Sequence, residues 1–247
     1  MNRKFLKPSS MTDAPTHYCP GCGHGIAHRL VCEVIDELGM RENTIAVAPV
    51  GCAVLAYDYW DFDTLEAAHG RTPAVATGVK RILPEKLVFT YQGDGDLAAI
   101  GTAEIIHAGS RGEKLSVVFI NNGVYGMTGG QMAPTTIIGQ TTSTSQYTRR
   151  SDKEGFPIKI LEMMSVLPGV VYLERTSLHS PGEVLKTKRA IKRSFETQLE
   201  GKGFSMVEVL SPCPTYWGLD PVRSMERIEK VISKEYPLGV VKPAIAV

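Results

Sequence analysis

The sequence has almost no net charge and no long apolar run. Its 27 lysines and arginines stand against 26 aspartates and glutamates. It therefore lacks both the basic excess that nucleic acid requires and a global field that would steer a charged partner. No window approaches the ~20 apolar residues of a membrane-spanning helix. The opening Met1-Asn2-Arg3-Lys4-Phe5-Leu6-Lys7-Pro8 is basic but has no apolar stretch of signal-peptide length. These absences predict a cytoplasmic protein with no nucleic-acid or membrane partner. In that compartment thiols stay reduced, so the 5 cysteines are read as ligands or catalysts before disulfides. Internal repeats, low-complexity tracts and an evident domain boundary are also missing. With 247 residues, 43% of them hydrophobic, residues 1–247 are expected to form one domain with a sizeable core.

What is present is alternation of helix and strand patterns. Ile26, Leu30, Val34 and Leu38 recur every four residues and predict a helix over 26–38 closed by Gly39. Apolar runs predict strands over 44–50, 87–91, 115–120, 170–173 and 205–210. Helices are expected over 74–83, 97–108, 158–164 and 182–199. This order implies an α/β fold, a mostly parallel sheet flanked by helices on both faces. Residues up to about 15 lack periodicity and are expected to pack on a neighbour or to be mobile. Residues 128–155, rich in Thr, Ser, Gly and Gln, read as an ordered functional loop.

Two signals mark the expected site. Gly93-Asp94-Gly95 follows one strand pattern, and Asn121-Asn122 follows the next. In a parallel sheet that arrangement places Asp94 and Asn122 at the carboxyl ends of adjacent strands, where α/β proteins bind ligands. A carboxylate and an amide there suit a Mg²⁺ that takes its remaining ligands from water and a diphosphate. Gly93-x-Gly95-x-x-Ala98 also fits a loose dinucleotide fingerprint. Against that reading, Asp94 would repel a pyrophosphate resting directly on the helix start, and the acidic residue expected after the second strand is replaced by Asn121 and Asn122. A plain glycine turn with a capping aspartate is the structural alternative.

Cys19 and Cys22 form a Cys-x-x-Cys in a Pro-Gly turn, with further cysteines at 32, 52 and 213. Such a turn holds two thiolates on one side, with room for a metal centre. Spacing does not separate zinc from an iron–sulfur cluster. Cys32 lies inside the first helix pattern and reads as a small core residue.

Gly-Asp-Gly followed about 25 residues later by Asn-Asn resembles the motif of thiamine diphosphate enzymes. The string Asn121-Asn122-Gly123-Val124-Tyr125-Gly126-Met127-Thr128-Gly129-Gly130-Gln131 narrows the resemblance to the β subunits of 2-oxoacid:ferredoxin oxidoreductases. So do Tyr18-Cys19-Pro20-Gly21-Cys22-Gly23, Val50-Gly51-Cys52, His69-Gly70-Arg71 and Ser211-Pro212-Cys213-Pro214. The resemblance implies a thiamine diphosphate-binding fold. Mg²⁺ would be held by Asp94, Asn122 and the Val124 carbonyl, and a [4Fe–4S] cluster by Cys19, Cys22, Cys52 and Cys213. It implies cofactor contacts at Val50, Gly51, Cys52, Ala53, His69, Gly126 and Met127, with the backbone amides of Gly95 and Asp96 on the diphosphate. His69 taken alone reads as a hydrogen-bonded loop histidine. Arg71 is the nearest cation for a substrate carboxylate, with a surface salt bridge as its alternative.

The same resemblance implies oxidative decarboxylation of a 2-oxoacid to acyl-CoA and CO₂, with coenzyme A as acyl acceptor and ferredoxin as electron acceptor. The glutamate that activates thiamine comes from an α subunit in this family, and no motif here supplies one. The chain is thus expected to need that α subunit, with ferredoxin-like γ or δ subunits for onward electron transfer. Pyruvate-specific relatives usually carry Asn where Met127 stands, so 2-oxoglutarate or a branched-chain 2-oxoacid is favoured over pyruvate. A nicotinamide-dependent dehydrogenase and a cluster scaffold without thiamine are the competing classes. Replacing Cys19, Cys22, Cys52 or Cys213 by alanine is expected to remove the iron, whereas Cys32→Ala leaves it. Iron and sulfide analysis checks this; equal losses at all five positions, or stoichiometric zinc in anaerobically purified protein, contradict it.

Overall fold

The structure is a computed structural model, and it describes residues 6–244. Residues 1–5 of the opening basic segment lie outside the described residues. Leu6 onward runs back along the chain's own first helix, α1 (His24–Leu38). There the Asp36 carboxylate accepts hydrogen bonds from the amides and hydroxyls of Ser9 and Ser10. Within the segment expected to pack on a neighbour or to be mobile, charge-assisted bonds to one carboxylate thus fasten Ser9 and Ser10 to the chain's own α1. Gly39 closes α1 in the left-handed conformation, at φ 62°, as its C-cap position requires.

β1 (Thr44–Ala48) is entirely buried; it stops two residues short of expectation because Pro49 cannot donate to the ladder. Next come α2 (Ala56–Tyr59), the short edge strand β2 (Asp63–Glu66) and α3 (Thr72–Ile82), with Pro73 in its first turn. β3 (Leu87–Gly93) leads into a π-helical turn over Asp96–Ile100 and then α4 (Thr102–Ser110). The single helix expected over 97–108 is therefore broken. At Gly101 a Cβ would lie 2.8 Å from the carbonyl of Gly70. Two backbones touch there, and the widened turn, with Gly101 N bonded to Asp96 O at 2.8 Å, accommodates that contact.

β4 (Ser116–Asn121) is followed by the antiparallel ribbon β5 (Val124–Tyr125) and β6 (Gln131–Met132). α5 (Ile160–Ser165), β7 (Val170–Ser177), α6 (Pro181–Leu199) and β8 (Phe204–Leu210) complete the regular alternation. Ser180 caps α6 by accepting from the Glu183 amide. Beyond β8 lie α7 (Pro214–Trp217), α8 (Pro221–Arg227), a π-helical turn over Ile228–Ile232, α9 (Ser233–Glu235) and β9 (Gly239–Lys242).

The main sheet has seven strands in the order β2-β1-β3-β4-β8-β7-β9. All pairs are parallel except β7 with β9. Side-chain alternation divides the core. Val118 and Ile120 of β4 pack with Leu30, Ile35 and Phe195 of α1 and α6. Val117 and Phe119 point the other way and pack with Leu97, Ile105 and Leu161. One consequence positions the site: β1, β3, β4 and β8 all end at the same edge, so the residues after them meet there.

That edge is braced by a buried ion pair. Arg175 of β7, wholly buried, donates from Nε to Glu208 of β8 at 2.7 Å and from both terminal nitrogens to Glu162. Glu208 also accepts from the Asn121 side chain at 2.7 Å. Removing one member leaves the other charge buried without compensation. Arg175→Ala is expected to destabilise the fold by about 3–5 kcal/mol, read as a lower urea midpoint; a midpoint unchanged within error contradicts this.

Candidate active site

A cleft of about 100 Å³ opens at the carboxyl edge of the sheet. Val50, Gly51, Cys52 and Ala53 enter it from the loop after β1, and Gly93 to Asp96 from the end of β3. Asn122 enters after β4, with Val124, Gly126 and Met127 from the β5 ribbon, and His69 comes from the loop before α3. The structure thus brings together every residue expected to touch the cofactor or its Mg²⁺. Gly51 sits at φ 113°, a conformation in which glycine alone is unstrained.

Asp94 is buried, and its carboxylate accepts three hydrogen bonds: Gly95 N to Oδ1 at 2.9 Å, and Gly123 N and Thr135 Oγ1 to Oδ2 at 2.7 and 2.5 Å. Burial pushes its carboxyl up to about 6, against the lowering pull of those donors. A divalent cation would relieve that burial cost, so the donor set fits the implied metal. Asn122 is buried beside it, its Oδ1 accepting from Val124 N at 3.1 Å. Gly93 has open space where a Cβ would stand, leaving bare backbone beside the carboxylate for a diphosphate to approach.

Asp96 engages the site through its carboxylate. Its carboxylate is 2.6 Å from His69 Nδ1 and accepts from Gly70 N at 2.7 Å and from Gln92 Nε2 at 2.7 Å. The His69 ring is therefore oriented, and its Nε2 is left for the cleft. Arg71 is placed otherwise than expected: its guanidinium pairs with Glu104, it is half exposed, and it does not line the cleft. The Glu104 carboxylate on α4 draws the guanidinium to itself, and the salt-bridge alternative describes its geometry. Asn121, adjacent in the motif, turns away from the cleft toward Glu208.

The cysteines approach from three directions. Cys19 and Cys22 face each other across a turn closed by Cys22 N to Cys19 O at 3.0 Å. A Cβ on Gly21 would lie 2.6 Å from Pro221 Cβ, so the turn is packed directly on α8. A Cβ on Gly126 would lie 3.1 Å from Cys52 Sγ and 3.9 Å from Cys213 Sγ. Both thiols therefore lie beside Gly126, which, like Cys52, lines the cleft. Burial, then the neighbouring thiols, pushes Cys52 up to about 11; Cys213 is pushed up to about 12, chiefly by burial. Thiolates there require a cationic centre. Among the described residues, no group of three or more His, Cys, Asp or Glu is gathered closely enough to hold a single metal ion. Cys32 is fully buried, its Sγ directed at Ser10 O at 3.3 Å.

Sequence reasoning missed His24, Tyr125, Thr128 and Thr135. His24 lines the cleft with Nδ1 bonded to Tyr91 Oη at 2.7 Å, and burial holds its imidazolium down to about 4. The Tyr125 ring covers Gly95, where a Cβ would lie 2.3 Å from it. Three of these follow directly on quoted motifs or lie within them, and proximity was the available signal. Thr135 had none.

Residues 49–209 match the family model for the C-terminal TPP-binding domain of thiamine pyrophosphate enzymes. The 2-oxoglutarate synthase subunit KorB of Methanocaldococcus jannaschii is 38% identical over 214 residues, covering 86% of this chain and 75% of that protein. The chain belongs to the 2-oxoacid:ferredoxin oxidoreductases, as a thiamine diphosphate-binding subunit. The ketoisovalerate oxidoreductase subunit VorA of Methanothermobacter marburgensis is 48% identical over 96% of this chain, but the chain spans only 50% of that protein. A solved 2-oxoglutarate:ferredoxin oxidoreductase from Magnetococcus marinus, with 2-oxoglutarate, coenzyme A and succinyl-CoA bound, superposes with a TM-score of 0.78 at 26% identity. That match covers 99% of this chain and 87% of the other. No helix among the described residues is long and apolar enough to cross a membrane.

Asp94→Ala is expected to abolish Mg²⁺-dependent thiamine diphosphate binding in the assembled subunit complex while leaving its iron content intact. Calorimetry showing unchanged cofactor affinity contradicts this.

Proposed function

We propose that this chain, acting as one domain, holds thiamine diphosphate, Mg²⁺ and a [4Fe–4S] cluster in an oxidoreductase that converts a 2-oxoacid to acyl-CoA and CO₂. The observation that carries the reading is Gly126, which lines the cleft and where a Cβ would lie 3.1 Å from Cys52 Sγ and 3.9 Å from Cys213 Sγ, so that both thiols stand at the cleft's margin. Thiamine diphosphate supplies an electron sink at the carbon that loses CO₂. Asp94, Asn122 and the Val124 carbonyl hold the cation that binds the diphosphate. His69, steered by Asp96, is a hydrogen-bonding partner inside the cleft. Cys19, Cys22, Cys52 and Cys213 would hold the cluster, which would supply one-electron chemistry with ferredoxin as the acceptor.

The partners follow from what the site needs. An α-type subunit supplies the activating carboxylate and closes the cleft against water. Tyr147 and Phe156, 90% and 75% exposed beside the long polar loop, are candidates for the surface that meets it. Ferredoxin-like subunits carry the electrons on. The VorA relatives, about twice the length of this chain, leave room for such further parts.

For the substrate, the cleft wall matters. Val50, Ala53, Val124, Tyr125 and Met127 line it, with no lysine or arginine among the described lining residues. An apolar wall suits a branched-chain 2-oxoacid, whereas the distal carboxylate of 2-oxoglutarate needs a cation. The 48% identity to a ketoisovalerate oxidoreductase subunit supports the same choice. The second reading, 2-oxoglutarate, is supported by the KorB relatives and needs its cation from the partner. The complex, co-purified anaerobically, is expected to reduce viologen with higher kcat/KM on 2-oxoisovalerate than on 2-oxoglutarate or pyruvate, and the chain alone is expected to be inactive. A preference for pyruvate, or turnover by the single chain, overturns the corresponding part.

A further inference from the structure

The Asp94 carboxylate is not symmetrically engaged. Oδ2 accepts both from Gly123 N and from Thr135 Oγ1, at 2.7 and 2.5 Å, while Oδ1 accepts only from the adjacent Gly95 N at 2.9 Å. A carboxylate oxygen offers about two lone-pair directions. Oδ2 is therefore saturated, and one direction stays open on Oδ1.

Thr135 lies 41 residues beyond Asp94, in the polar segment that carried no periodic signal. Its placement is heavily determined. Thr136 Oγ1 donates to Gly123 O at 2.6 Å and accepts from Ala133 N at 2.9 Å, closing a turn over 133–136. Tyr236 Oη donates to Thr135 O at 2.8 Å. Arg149 is 4% exposed and forms no ion pair among the described residues. Its Nη1 donates to the carbonyls of Pro134 and Thr136 at 2.9 and 2.6 Å, and its Nε and Nη2 donate to those of Gly155 and Phe156 at 3.0 and 2.7 Å. A buried guanidinium spent on main-chain acceptors from two segments is a staple between them. Desolvation lowers its proton affinity, a cost the carbonyls offset through charge-assisted hydrogen bonds.

We infer that Thr135 and Arg149 are positioning residues for the divalent-metal end of the cleft. Thr135 fills Oδ2 so that Asp94 presents Oδ1 alone, and Arg149 holds the turn that carries Thr135. The inference rests on the functional reading above and extends it to metal choice. A single fixed carboxylate oxygen suits Mg²⁺, which demands near-octahedral geometry, whereas Ca²⁺ readily takes a carboxylate through both oxygens. Without the Thr135 hydroxyl the carboxylate can turn, and discrimination against Ca²⁺ falls.

The test uses the complex co-purified with its partner subunits, stripped of divalent metal and titrated calorimetrically with Mg²⁺ or Ca²⁺ in the presence of thiamine diphosphate. Thr135→Val, which keeps the shape without the hydroxyl, is expected to weaken Mg²⁺ binding about ten- to hundredfold while affecting Ca²⁺ much less. Thr135→Ser restores the hydroxyl and is expected to keep the Mg²⁺ preference. Arg149→Met is expected to act in the same direction as Thr135→Val and to add little to it in the double variant. A Mg²⁺-to-Ca²⁺ ratio unchanged in Thr135→Val, or Thr135→Ser as impaired as Thr135→Val, overturns the inference alone. Wild-type complex that binds neither metal with the cofactor overturns the functional reading and this inference with it.

Discussion

Asp94 is a carboxylate taken out of water at the carboxyl end of β3 and surrounded by donors from its own loop and from two other places in the chain. Such a group is costly to leave charged unless each lone pair is engaged and a cation completes the set. Much of the surrounding architecture meets that demand. Gly123 turns its amide inward, the turn over 133–136 delivers a hydroxyl, and Asn122 stands alongside. The carboxylate links the β3 end, the β4 end and the long loop, so the ordering of one is tied to the ordering of the others.

Behind this lies a second buried charge system, Arg175 with Glu208 and Glu162. It faces away from the cleft, yet it grips Asn121, the residue immediately before Asn122, which lines the cleft. The two asparagines of the motif are thereby divided between framework and site. A pair of identical residues carries no sequence sign of that division. Strand alternation accounts for it, since consecutive residues leave a strand on opposite faces.

The thiols obey the same logic at longer range. Burial holds Cys22, Cys52 and Cys213 in their protonated forms, and only a cationic centre makes thiolates favourable there. Because Cys52 follows β1 and Cys213 follows β8, parallel strands that end at one edge bring both thiols beside Gly126 at the cleft. Glycine at 126 lets the backbone approach both sulfurs, since a Cβ there would lie 3.1 Å from Cys52 Sγ and 3.9 Å from Cys213 Sγ.

The amino-acid sequence by itself determined the α/β alternation, the parallel sheet, the meeting of Asp94 and Asn122 at one sheet edge and the burial of Cys32 in the core. Each rests on local information: periodicity, turn residues, or donor types at short spacing. Elements that depend on distant packing were not legible. The break in the helix after β3 comes from Gly70 touching Gly101, and the edge strands β2 and β9 carry mostly polar or partly exposed patterns. Only the tertiary structure decided that Arg71 pairs with Glu104 away from the cleft, that the Asp96 carboxylate steers His69, and that Thr135 completes Asp94. Hydrogen bonds between residues 27, 33 and 41 positions apart leave no periodic trace in a chain, because folding selects those partners through the sheet edge that brings them together.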